Sequence, residues 1–269
     1  LEGASLFWST TGWGAEKFYT ADSVKRIKTE FNGNLVRAAI AHKPCDGGCS
    51  GGVEDGDANW NANMARLDTV VQAAIDNDMY VIVDLHSHEA ANSETNKQFA
   101  VKFFEAVARK WGGHNNVIYE LYNEPLNRSW DNELKPYAEF VGGKIRAIDP
   151  DNLIIMGTPN WSQDVDVASR NKANVSNLAY TIHFYADTHR GELRDKVRTA
   201  LNNGAALFAT EWGSAHANGR GTVNRFETME WVKLLRENGI SMAGWAFHDK
   251  ERDQATGEIE TSSFFNTNG

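Results

Sequence analysis

Two glutamates, Glu124 and Glu211, carry the chemistry this sequence is best equipped to do. Each closes a short β-branched or aromatic run, in Tyr122-Asn123-Glu124-Pro125 and in Thr210-Glu211-Trp212-Gly213. Other runs end in the same way. One carries Arg37, the next Asp84 and His86, a later one His183 and Tyr185, and the last Trp245. A carboxylate, imidazole or guanidinium at such a place is costly in an ordinary core unless it is paired. Alone, Arg37 reads equally well as half of a buried ion pair, and His86 or His183 as a satisfied core imidazole. Beside two carboxylates, the reading as one site outweighs those. A facing pair of carboxyl groups suits glycosidic bond hydrolysis. At about 5–5.5 Å one attacks the anomeric carbon and configuration is retained; at about 6.5–9.5 Å a water fits and configuration inverts. Sequence leaves both spacings open.

The elements that must position these residues repeat one unit, a continuous apolar run, a loop, then an amphipathic helix. Runs of strand type fall at Ser5–Trp8, Leu35–His42, Tyr80–His86, Val117–Asn123, Leu153–Thr158, Ala179–Tyr185, Ala206–Glu211 and Met242–His248. Continuous rather than alternating hydrophobicity marks parallel strands covered on their outer face by helices. Between them Met64, Leu67, Val71, Ala74 and Ile75 share one helical face, as do Phe99, Phe103, Ala106 and Val107. Leu134, Tyr137, Val141, Ile145 and Ile148 form a third stripe, and Leu193, Val197, Ala200 and Leu201 a fourth. Gly33, Gly112, Gly204 and Gly239 stand where helices should stop, in positions that favour positive φ. Eight such units predict a single α/β domain over residues 1–269, a (β/α)8 TIM barrel whose site lies at the C-terminal strand ends. No Gly-rich phosphate turn follows a strand, which disfavours nucleotide binding. The fifth helix is short, within Asp164–Arg170, and no eighth helix is evident after His248.

A formal charge of -9 argues against nucleic acid or an anionic membrane as partner, and suits an uncharged substrate. No apolar run approaches the roughly 20 residues of a membrane span. The chain starts abruptly at Leu1, so an export signal is expected to have been removed or left out. Cys45 and Cys49 flank Asp46-Gly47-Gly48, a loop short enough for a small local disulfide; free thiols are the alternative. Nine tryptophans are many, and indoles make rigid contact surfaces. Trp111 and Trp231, on helices, read as core, and Trp60 as the anchor of a helix start.

The motifs Asn123-Glu124-Pro125 and Glu211-Trp212-Gly213, three strands apart, resemble glycoside hydrolase family 5. Further matches are Ser5-Leu6-Phe7-Trp8, Gly14-Ala15-Glu16-Lys17-Phe18-Tyr19, residues Ala147 to Ile155, and Trp161-Ser162-Gln163. These look like the bacterial endo-1,4-β-glucanases of the family's second subfamily. The resemblance implies a retaining hydrolase in which Glu124 is acid/base, with a raised pKa, and Glu211 the ionised nucleophile. It implies that Arg37 and Tyr185 hold Glu211, that His183 sits beside the pair, tuning Glu124 or orienting the sugar, and that Asn123 and His86 bind the reacting sugar. Trp245 would lie under that sugar, and Trp8, Trp13 and Trp161 would serve outer subsites, Trp161 beyond the cleavage point. Lys250 falls where the family reaches distal sugars. Arg252 replaces an acid usual in the family, with Glu251 adjacent, and His248 stands where Asn or Ser is more frequent. These departures bear on distal sugar preference.

The expectation is therefore a secreted, monomeric endo-1,4-β-glucanase acting on β-1,4-glucan without a cofactor. Mannan, xyloglucan or mixed-linkage glucan are alternatives within the same chemistry. A non-catalytic carbohydrate-binding barrel is a rival of another class, disfavoured because a binder needs neither glutamate. Asp84-Leu85-His86-Ser87-His88 has the spacing of a metal-binding motif, since alternate strand residues share a face. With His88 expected in the loop, no metal is assigned.

Overall fold

The computed structural model describes residues 1–10, 14–43, 51–250, 252 and 256–265. Eight parallel strands close into a barrel in sequence order: β1 (Glu2–Leu6), β2 (Leu35–Ala41), β3 (Tyr80–His86), β4 (Val117–Glu120), β5 (Ile154–Met156), β6 (Leu178–Tyr185), β7 (Leu207–Gly213) and β8 (Ser241–Phe247). Around it run α1 (Ala21–Phe31), α2 (Asp57–Asp76), α3 (Glu94–Trp111), α4 (Lys135–Arg146), α5 (Pro159–Ser162), α6 (Val165–Arg170), α7 (Gly191–Asn202) and α8 (Arg225–Glu237). Among the described residues no helix follows β8. β1 begins three residues earlier than its apolar pattern suggests. Its first residues are an exposed Glu2 and Gly3, which do not read as strand. A Cβ on Gly3 would lie 1.8 Å from the Leu35 carbonyl oxygen, so only glycine lets β1 approach β2 there.

Helices start and stop on local chemistry. Thr20 and Ser93 accept hydrogen bonds from Ser23 N and Asn96 N, capping α1 and α3. Gly204 and Gly239 take the left-handed conformation expected of them. At the end of α1 that role falls to Asn32 (φ 53), one residue before the expected Gly33, and Gly112 stays helical at φ -61. Asparagine tolerates this region because its short side chain bonds locally.

Two interior layers position the site. Leu35, Ile82, Ile118, Ile155, Ala179, Phe208 and Ala243 form an apolar floor inside the barrel. Two residues on along six of these seven strands, one full pleat higher, stand Arg37, Asp84, Glu120, Thr181, Thr210 and Trp245. The polar groups are therefore held on a floor that excludes water. On the outer face of the barrel, Trp231 of α8 is fully buried, stacks on Phe184 of β6 at 4.0 Å, and donates its indole N–H to the His189 carbonyl at 2.7 Å. Trp231→Ala should therefore cost about 3–5 kcal/mol of stability, read by urea denaturation, by opening a cavity behind β6. A loss under about 1 kcal/mol would show that this face is not what fixes β6.

Candidate active site

Arg37 stands in the middle of the barrel, fully buried, and its guanidinium has four close partners besides a longer bond to Ser5 Oγ at 3.4 Å. Nε meets Glu120 at 2.7 Å, Nη1 meets Glu211 at 3.1 Å, and Nη2 meets Asp84 at 2.8 Å and the Asn123 amide oxygen at 2.6 Å. Burial works against its charge, but three carboxyl groups around it raise its pKa, so it stays protonated. Tyr185 OH donates to Glu211 Oε1 at 2.8 Å, so each Glu211 oxygen is fixed by its own donor. Asn123 Oδ1 is taken by Arg37, which leaves its NH2 as the donor for other partners.

A bulge on β7 puts two consecutive residues to use. Thr181 pairs with Phe208, but His183 pairs with Glu211, so β7 carries one extra residue in that interval. Bulges re-aim side chains in this way. Thr210 bonds the His183 ring and Glu120, while Glu211 bonds Arg37 and Tyr185. On the opposite wall Glu124 follows β4. Its two oxygens meet His183 Nδ1 at 2.9 Å and His88 Nε2 at 3.2 Å. One ligand-type atom each of Glu124, His183 and Glu211 lies within 4.8 Å of the others. The two glutamates thus face each other closely across the mouth of the barrel.

Burial would push Glu124 up, but hydrogen bonds from His183 and His88 prevail and bring its carboxyl down to about 2. Burial would push His183 down, and the carboxylates of Glu120 and Glu124 outweigh it, raising the imidazole to about 9. Glu211 is raised, chiefly by burial, with the negative charge of Glu124 adding to it and His183 and Arg37 opposing it. The expectation put a raised pKa on Glu124 alone; here the raised group is its partner His183, so the two hold the proton as a pair. His183, expected beside the pair, lowers Glu124 through its hydrogen bond, whereas burial is what raises Glu211.

Two cavities meet at this pair, sharing Glu124, Glu211, Tyr185 and Ala217. One, of about 240 Å³, is lined by Trp8, His86, Asn123, Trp245 and Lys250. Within it the His86 ring lies parallel to Trp245 at 5.2 Å and meets the Trp8 edge at 4.2 Å. The other, of about 450 Å³, is lined by Asn160, Trp161, Gln163 and His189. Trp161 is 48% exposed. Asn160, Trp161 and Ser162 all have φ of 55 to 57°, a strained run for non-glycine residues. The backbone N–H groups of Asn160 and Trp161 bond the carbonyls of Leu126 and Pro125, and Ser162 Oγ bonds the Asn123 carbonyl. The loop that presents Trp161 is thereby tied to the segment that carries Glu124.

Of the residues expected in the site, Arg37, His86, Asn123, Glu124, His183, Tyr185, Glu211 and Trp245 come together, with Trp8 and Lys250 on one side and Trp161 on the other. Trp13 and the Cys45–Cys49 pair lie outside the described residues. His248 is buried against Phe7 at 4.4 Å, with Nδ1 accepting from Lys250 N, and acts on the loop rather than in the cleft. Asp84, His86 and His88 do not converge: Asp84 holds His86 Nδ1 at 2.6 Å, and His88 turns to Glu124. Glu120 and Thr210 were not anticipated. The two-residue step from the floor positions Ile118 and Phe208 is the sequence feature that could have found them.

A closed parallel barrel with a close glutamate pair on its C-terminal rim places the molecule in the class of two-carboxylate barrels. More narrowly, the chain belongs to the cellulase family, glycosyl hydrolase family 5, whose model matches residues 1–251. It is 54% identical to endoglucanase Z of Dickeya dadantii over 254 residues, covering 94% of this chain and 57% of that one. It is 41% identical to an endoglucanase of Clostridium saccharobutylicum, covering 88% and 51%. The chain thus spans little more than half the length of these curated relatives. Among solved structures it superposes on the catalytic domain of Thermobifida fusca endoglucanase Cel5A with a TM-score of 0.83 at 28% identity, covering 93% and 79%. A variant of that enzyme was solved in complex with cellotetraose (TM-score 0.82, 27% identity, 93% and 79% covered).

Removing the Tyr185 hydroxyl takes a donor from ionised Glu211, so Tyr185→Phe should raise the Glu211 pKa further, by about one unit. Carboxyl-selective ¹³C NMR titration reads this directly, and an unchanged Glu211 would show that the bond does not stabilise the charge.

Proposed function

We propose that this barrel is an endo-1,4-β-glucanase that cleaves internal bonds with retention of configuration. The observation that carries the reading is the Glu124–Glu211 pair, with His183 within 4.8 Å, at the meeting point of two aromatic-walled cavities. Glu211, both oxygens held by fixed donors, attacks the anomeric carbon of the sugar lying over Asn123, His86 and Trp245. Glu124 protonates the departing glycosidic oxygen, then takes a proton from the water that hydrolyses the glycosyl-enzyme. The acid proton belongs to the Glu124–His183 pair rather than to Glu124 alone. The cavity with Trp8 and Lys250 receives the glycone and the cavity with Trp161 the leaving group. A cleft running to both sides of the pair accommodates a chain cut in its interior. The endoglucanase relatives and the cellotetraose bound by the Thermobifida variant support glucan as substrate. Action as a monomer is part of this proposal. A polymer too large to enter a cell must be met outside it, which supports secretion.

Glu211→Ala and Glu124→Ala should each lose about 10³-fold or more in turnover of carboxymethylcellulose while remaining folded. Glu124→Ala should keep its rate of glycosylation by 2,4-dinitrophenyl β-cellobioside, and azide should then release a β-azide product. Near-normal cellulose turnover in either variant, or inverted product from the unmodified enzyme, would end the assignment.

The pH dependence of kcat/KM should be bell-shaped. Glu211 is raised, so the nucleophile is lost as pH falls towards values above the ordinary carboxylate range. The acid pair loses its proton as pH rises through about 9. A rate already falling at pH 7 would contradict that ordering.

A further inference from the structure

Thr210 and Glu120 take no part in the steps above, yet they are the innermost links of a buried chain that ends at Glu124. Both are fully buried. Thr210 Oγ1 donates to Glu120 Oε1 at 2.5 Å, a carboxylate oxygen that can only accept. Thr181 Oγ1 accepts from Thr210 N and lies 2.5 Å from Thr210 Oγ1, so its own proton points to Thr210. The third neighbour of Thr210 Oγ1 is His183 Nε2 at 2.9 Å. Thr210 has one proton, spent on Glu120, and two lone pairs, one already used by Thr181. His183 Nε2 must therefore be the donor in its bond.

We propose that Thr210, oriented by Glu120, is a positioning residue that keeps His183 Nε2 protonated, so that the proton between His183 Nδ1 and Glu124 is the one delivered to the leaving oxygen. The inference rests on the acid/base role proposed for Glu124. With Nε2–H fixed, the proton in the 2.9 Å bond between Nδ1 and Glu124 Oε1 moves from nitrogen to oxygen as the glycosidic C–O bond breaks. It ends on the released hydroxyl. His183 is left neutral with Nε2–H in place, and Glu124 is left ionised to act as base. The device also sets when the proton is lost. Without it, either the bare Nδ1 faces ionised Glu124 or the bare Nε2 faces the lone pairs of Thr210. Both arrangements are unfavourable, so the pair keeps its proton to higher pH. The charges facing the His183 ring act in the same system: Glu120 and Glu124 from β4 and its loop, Glu211 from β7, and Asp84 and His86 from β3. His88 reaches the far oxygen of Glu124, Arg37 of β2 ties Glu120 to Glu211, and β5 brings no titratable side chain. The raised pKa of His183 agrees with this frame.

Thr210→Val keeps the side-chain shape and removes the acceptor, whereas Thr210→Ser keeps the hydroxyl. For Thr210→Val the alkaline limb of kcat/KM on cellotetraose should move down by about one unit or more. Its kcat/KM on 2,4-dinitrophenyl β-cellobioside, which needs no acid in glycosylation, should stay within about twofold of the unmodified enzyme. Thr210→Ser should restore the cellotetraose profile. An unmoved limb, equal losses on both substrates, or a serine variant as impaired as valine would each overturn the proposal. A ¹⁵N-histidine NMR titration of the unmodified enzyme keeps the test open should Thr210→Val not fold. Nε2 should stay protonated while Nδ1 titrates, and loss of the Nε2 proton first overturns it. If Glu124→Ala leaves cellotetraose turnover intact, the acid/base reading itself fails, whatever Thr210 does.

Discussion

Everything around the cleft depends on one buried guanidinium. Arg37 has no exposure to water, so its charge survives only because Asp84, Glu120 and Glu211 surround it. Such an arrangement is a poor source of stability, because desolvating the ions costs about what their attraction returns. What it does supply is direction. A guanidinium offers fixed donors in one plane, and here they point to a nucleophile on β7, an amide beyond β4, and two carboxyl groups that line the barrel. Glu211 cannot turn without breaking a bond to Arg37 or to Tyr185. The energy spent on burying the charge is returned as orientation at the reacting carbon.

The layered interior explains why this charge can be kept. A floor of aliphatic and aromatic side chains closes the lower barrel, and the polar residues occupy the next pleat up. Above the floor, the β7 bulge lets Thr210 and Glu211 both reach the interior from adjacent positions. A regular strand would have sent one of them outward. The same irregularity links the two halves of the chemistry. Glu211 belongs to the Arg37 network, and Thr210 to the chain through His183 that ends at Glu124. Nucleophile and acid are thus tuned by neighbouring residues on one strand.

Much of this was legible in the sequence because parallel strands carry their functional residues at their ends. Arg37, Asn123, Glu124, His183, Tyr185 and Glu211 follow apolar runs, and the fold does bring them together. Glu120 escaped notice for the opposite reason. It sits inside Val-Ile-Tyr-Glu-Leu-Tyr, where a charged residue reads as an interruption, and its meaning comes from partners on β2 and β7. The bulge was equally invisible, because register is set by neighbouring strands and not by the residues of β7 alone. How a proton is shared between Glu124 and His183 depends on a contact between β6 and the loop after β4, which the position of either residue in the sequence does not give. The left-handed run that presents Trp161 likewise has no glycine to announce it; carbonyls of the Glu124 loop hold it in place.

The central claim is that Glu211, held by Arg37 and Tyr185, forms the covalent bond to the sugar. Incubation with 2,4-dinitrophenyl 2-deoxy-2-fluoro-β-cellobioside, followed by proteolysis and mass spectrometry, tests it most directly. The account predicts one fluorocellobiosyl adduct per molecule, on the peptide containing Glu211 and on that residue. An adduct on Glu124 or Glu120, or turnover of the natural substrate with no adduct trapped at any residue, would contradict it.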